Sequence, residues 1–63
     1  MFIFINDKLV NTDYIIVVEK AYHQKEKYCI YISFSNSESF YASFQSAEDR
    51  ENRFQEIVKR LIS

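Results

Sequence analysis

Residues 28–44 read YCIYISFSNSESFYASF, and the fold follows from how this stretch pairs with itself. Apolar residues recur at every second position, which is the signature of a β-strand with two different faces. Tyr28, Ile30, Ile32 and Phe34 share one side, and Cys29, Tyr31 and Ser33 the other. On the return, Phe40, Ala42 and Phe44 share a side, opposite Ser39, Tyr41 and Ser43. Paired residues must lie on one face, since a slip by one inverts the pattern. Setting Phe34 opposite Phe40 meets this condition and places Ile32 against Ala42, Ile30 against Phe44 and Ser33 against Tyr41. A two-residue turn breaks the parity, so the loop is expected to hold three or five residues around Ser35 to Ser39. With no glycine in the chain, Asn36 is the residue expected to take a positive φ there.

Upstream, Tyr14 to Tyr22 (YIIVVEKAY) is rich in β-branched residues. Its run from Ile15 to Val18 lacks alternation, as in a strand covered on both faces. If Tyr22 opposes Tyr28 across the polar loop His23–Lys27, then Val18 opposes Ile32 and Ile16 opposes Phe34. Ile15 and Val17 then join Tyr31 and Tyr41, although the run alone leaves open which of Ile15 and Ile16 faces the core. Phe2 to Ile5 (FIFI) forms a short strand, Asn6-Asp7-Lys8 a turn, Leu9-Val10 a brief strand, and Asn11-Thr12-Asp13 a second turn bonded through its side chains.

Ser46-Ala47-Glu48-Asp49 resembles a capping box with Asp in the fourth place. Acidic residues open the segment that follows, and Lys59 and Arg60 close it, as the helix dipole favours. Ala47, Phe54, Ile57, Val58, Leu61 and Ile62 fall on one stripe, so a helix is expected over 47–62. The outer side, including Glu48, Arg50 and Glu51, is expected in solvent, with i,i+4 pairs Glu51–Gln55 and Glu56–Arg60. The fold class is α+β: a single domain over 1–63, with four to five antiparallel strands in one sheet and one C-terminal helix on one face.

Sixty-three residues bury a modest core, and chains of this size commonly add disulfides, metals or association. One cysteine and one histidine provide neither a bridge nor a structural zinc site, which leaves association. The composition, 48% hydrophobic and 17% aromatic, excludes a disordered tail. No apolar run reaches the roughly 18 residues of a membrane span, and no secretory signal opens the sequence. A cytoplasmic protein with a reduced thiol is expected. Net charge −1 with interspersed signs disfavours a phosphate-neutralising protein.

One helix covers one sheet face. Ile16, Val18, Ile30, Ile32, Phe34, Phe40, Ala42 and Phe44 are expected beneath it. The surplus face holds Ile15, Val17, Cys29, Tyr31, Ser33, Tyr41 and Ser43, with one side of Phe2–Ile5. An exposed patch of this kind marks an interface, where tyrosine is enriched. These seven residues are the candidate interface of a homodimer or of a protein partner. His23 and Cys29 lack the third group that orients a catalytic dyad, so no catalytic, metal or cofactor residue is assigned. Tyr31, Tyr41 and Phe34 could stack bases, with Lys20, Lys25 and Lys27 nearby, but no basic groove accompanies them. Nucleic acid is therefore disfavoured, and a nucleotide-sized ligand remains the alternative.

Phe, Tyr, Met, Ile, Asn and Lys supply 29 residues, whereas Gly, Ala, Arg and Pro supply 6. Average usage would place about seven Gly and Pro in such a chain. The bias points to a low-GC bacterium or its mobile elements. In the order of FIFIND, NTDYIIVVEK and SAEDRENRF, the whole chain resembles short open reading frames of phages and mobile elements in such bacteria. The resemblance implies a stoichiometric inhibitor of a host enzyme or defence system, acting by occlusion, and transfers no functional residue.

Overall fold

The computed structural model describes residues 1–62. Five strands and one helix follow in the order β1 (Phe2–Ile5), β2 (Lys8–Asn11), a 3-10 turn (Thr12–Tyr14), β3 (Ile15–His23), β4 (Lys27–Phe34), β5 (Ser39–Phe44) and α1 (Ala47–Ile62). The fold is α+β, but the strands form two antiparallel sheets rather than one. A ribbon, β1–β2, stands apart from a three-stranded sheet ordered β3-β4-β5. The two sheets meet through a shared core. Ile3, Ile5 and Val10 turn inward and join Ile30, Ile32, Ala42 and Ile57 in one buried cluster. The ribbon thus lies over the same sheet face as the helix, and its inward residues are sheltered by cover rather than by pairing in line with β3–β5.

Asn6-Asp7 closes the ribbon in two residues, with Asn6 at φ 55° and Ile5 paired to Lys8. Two-residue hairpins need such positive angles, and asparagine tolerates them. Downstream, the Asn11 side-chain oxygen accepts the Asp13 amide at 3.0 Å, the side-chain-bonded turn expected from this cluster.

The β4–β5 register is displaced by two residues from the sequence expectation. Ile32 faces Phe40, Ile30 faces Ala42, Tyr28 faces Phe44 and Ser33 faces Ser39. A shift of two preserves every face, so hydrophobic patterning cannot detect it. The turn sets it instead. Phe34 N–H donates to Glu38 O at 2.8 Å, and Ser37 N–H donates to Phe34 O at 3.0 Å. Phe34 and Phe40 meet diagonally, stacked with centroids 5.9 Å apart. Ser37, not Asn36, takes the positive φ, at 72°. Asn36 instead accepts the Glu38 amide on its side-chain oxygen at 3.1 Å.

Between β3 and β4, Tyr22 pairs with Tyr28 and Val18 with Ile32, as alternation predicts. A bulge between Ile15 and Val17 then changes the count. One extra residue reverses the side on which its neighbours lie. Ile15 therefore opposes Phe34 and packs on the core, so it leaves the candidate interface. Ile16, expected under the helix, is 64% exposed. Nor is the Ile15–Val18 run covered on both faces, since Val17 is exposed as well.

The helix matches its expected bounds. Ser46 Oγ accepts the Asp49 amide at 3.1 Å, as an N-cap should. Ile57 is buried, and Phe54 and Leu61 pack on the core. Ala47 and Ile62, in the first and last turns of the helix, are exposed instead. The Glu51–Gln55 pair forms at 2.8 Å, while Glu56 accepts from Arg53 at 3.0 Å.

Two residues assigned to solvent grip the sheet. Arg50 donates to Ala21 O at 2.7 Å and lies over the Tyr28 ring. Glu51 pairs with Lys20 at 2.7 Å. The Lys20 hydrogen bond, followed by that of Gln55, holds the Glu51 carboxyl below its ordinary value. A lowered carboxylate pKa stabilises the fold above the unfolded-state value and loses that contribution as pH falls through the folded one. Glu51→Gln is therefore expected to lower the neutral-to-basic limb of a stability–pH curve and to flatten its acid limb, so that variant and parent converge as pH falls, as followed by urea midpoints.

Lys27 lies at φ 59°, in the left-handed region that costs a side chain about 1–2 kcal/mol. Lys27→Gly is expected to raise stability by about 1 kcal/mol after the entropy of glycine is subtracted. Thermal unfolding checks this, and a lower melting temperature would refute it.

Candidate interaction surface

The sheet face away from the core is crossed by three rows. They run Val17–Ser33–Ser39, Glu19–Tyr31–Tyr41 and Ala21–Cys29–Ser43. The middle row is the most prominent. Tyr31 and Tyr41 lie with ring centroids 5.1 Å apart, and the Tyr41 ring approaches His23 at 6.5 Å. Tyr41 is 53% exposed and Val17 38%. No element of the described residues lies over this side, because the ribbon and the helix both occupy the other.

Of the seven residues expected here, Val17, Tyr31, Ser33, Tyr41 and Ser43 share the open face. Ile15 is on the core side. Cys29 has the right facing but is fully buried in the central strand between Ala21 and Ser43. Its thiol donates to Lys27 O at 3.5 Å, so it is part of the floor rather than of the contact surface. Ser43 Oγ donates to Glu26 at 2.8 Å, which fixes its hydroxyl. Glu19, Ala21 and His23 belong to the same face and were not among the expected residues. Alternation from the Tyr22–Tyr28 pair places all three there, so the signal was present. The acidic side chain of Glu19 makes the row amphipathic, with one carboxylate beside two phenols.

The His23–Cys29 dyad is not assembled. His23 Nδ1 accepts the Lys25 amide at 3.2 Å, and the Cys29 thiol is turned to a backbone carbonyl. Among the described residues no three His, Cys, Asp or Glu side chains gather as a metal site would need. Among the same residues no helix is long and apolar enough to cross a membrane.

Two further features lie on the ribbon side. Phe2, Phe4 and Leu9, on the outward face of β1–β2, are each about 60% exposed. A cleft of about 760 Å³ runs between β2 and the turn of the β4–β5 hairpin, with Lys8, Tyr14, Phe34, Glu38 and Phe40 on its walls. No protein-family model, no curated protein and no solved structure matches this chain.

Proposed function

We propose that the chain is a small non-enzymatic protein–protein interaction module that acts by steric occlusion, as a phage-type inhibitor of a host protein or defence system would. The observation behind this is the open sheet face. Tyr31 and Tyr41 stand together on a three-stranded support, rimmed by Val17 and small serines, with no element of the described residues over them. Tyrosine clusters with small polar neighbours are the composition of interface centres. A rigid sheet presents them with little ordering cost on binding. The same face suits a homodimer, because a two-fold axis would stack one tyrosine row on its copy.

Light scattering across a concentration series tests the dimer. The expected mass is twice the 7.6 kDa of the chain at high concentration, falling toward 7.6 kDa on dilution. A constant 7.6 kDa would remove the dimer. Association with a host protein is tested by capture from bacterial lysate, with the Tyr31→Asp variant as the control that must lose the captured protein.

The nucleotide alternative has less behind it. The cleft beside β2 places aromatic rings near Lys8, but Glu38 also stands on its wall, which a polyphosphate would have to approach. Thermal shift against a nucleotide panel tests this alternative.

A further inference from the structure

We propose a second binding site, separate from the tyrosine face: the free edge of β2, built to accept an extended peptide as an added strand. All four β2 residues line the 760 Å³ cleft, those with inward and those with outward side chains alike. An edge does this, whereas a face presents only alternate residues.

The ladder shows which main-chain groups point there. Ile5 and Lys8 close the two-residue turn, and Thr12 N–H donates to Met1 O at 2.8 Å. Directly bonded pairs alternate with unbonded ones along an antiparallel ribbon. Ile3 and Val10 are therefore bonded to each other, while Phe4, Leu9 and Asn11 direct their main-chain groups outward. On the β1 side this is visible, because Arg53 from the helix donates to Phe4 O. On the β2 side, the Asn11 carbonyl opens the 3-10 turn. Leu9 N–H, Leu9 C=O and Asn11 N–H remain, and no group among the described residues meets them. On the β1 edge the chain itself meets Phe4 O, whereas on the β2 edge these three groups are left open over a cleft.

The cleft walls define the occupant. Phe34 and Phe40 form a stacked apolar wall, and Tyr14 is 59% exposed. The Asn36 side-chain oxygen is engaged by Glu38 N–H, which leaves its NH2 group as a donor. Lys8 holds its ammonium over the Phe40 ring at 5.2 Å and has no carboxylate partner among the described residues. An extended segment is the match. Its backbone meets Leu9 and Asn11, an apolar side chain meets the Phe wall, an acidic group lies beside Lys8, and a hydrogen-bond donor lies beside Glu38, which stands on the same walls. Strand addition of this kind draws affinity from the main chain and specificity from alternate side chains.

The test is selection of a displayed random heptapeptide library on the intact protein, followed by amide exchange of the isotope-labelled protein with a selected peptide. Selected peptides should alternate apolar and polar residues and carry an acidic one. The Leu9 and Asn11 amides should gain protection. Leu9→Pro deletes an outward N–H at an edge position that tolerates proline, and should weaken binding at least tenfold. Lys8→Glu should weaken it as well, and provides the test should Leu9→Pro fail to fold. Tyr31→Asp should leave it unchanged, which separates this site from the sheet face. The proposal is overturned by a selection without enrichment, by selected peptides that leave the Leu9 and Asn11 amides unprotected, or by binding that both edge variants retain. Protection of those amides that rises with protein concentration and without peptide would assign the edge to a second copy, and would also overturn it.

Discussion

Ile32→Ala is expected to cost about 2–5 kcal/mol, the range for deleting a buried aliphatic side chain and leaving its cavity. Ile32 is fully buried in the central strand, between Val18 and Phe40. It sits where the sheet meets the ribbon and the helix, so the cluster has few routes by which to collapse around the void. At the usual stability per residue, a domain of this length has about 3–9 kcal/mol in all. The substitution therefore removes a large share of it, and the urea midpoint should fall by a corresponding share. Ile32→Val, at about 0.5–1.5 kcal/mol, should remain folded. Urea denaturation followed by circular dichroism measures both. A midpoint for Ile32→Ala within error of the parent would mean that the core is not where the structure has it.

Tyr31→Asp should act in the opposite manner, large on association and small on folding. Tyr31 is half-buried on the open face, with Glu19 on one side and Tyr41 on the other. An aspartate there loses the Tyr41 ring contact and sets a carboxylate beside Glu19. Cross-strand losses of this kind cost about 1 kcal/mol or less each. If the tyrosine row is the centre of an interface, truncating it removes about 2 kcal/mol or more of binding, at least a thirtyfold loss of affinity. The measurement pairs melting temperature with mass by light scattering and with capture of the host partner. A folded variant that assembles and captures as the parent does would end the case for this face.

How much of this was legible depends on which physical rule acts at each residue. Helix α1 was readable to its ends, because Ser46, the acidic first turn and the basic last turn are local signals. The facing of β4 and β5 was readable because alternation is local too. The β4–β5 register was not. A displacement of two leaves Ile30 and Ile32 on the core side, and the choice was made by the Phe34–Glu38 turn bonds. Ile15 and Ile16 could not be told apart, since a bulge leaves no mark in four consecutive β-branched residues. Arg50 and Glu51 read as solvated from helical periodicity, yet their long side chains reach β3. The candidate face lost Ile15 to the bulge and Cys29 to central-strand burial, and it gained Glu19, Ala21 and His23 by the same alternation that had placed Tyr31.

By itself the amino-acid order determined the α+β class, the helix and its cap, the side of the sheet each β4 and β5 residue occupies, and the excess of apolar strand over helix. These rest on periods of 2 and 3.6 residues and on capping chemistry, which act over a few neighbours. Only the tertiary structure decided that the first two strands form a separate ribbon, that this ribbon shares the helix's face, and that one of its edges stays open. Those outcomes depend on how Ile3, Ile5 and Val10 compete for cover with Ile57 over the same sheet. That competition is between residues distant in the chain, and no local pattern records its result.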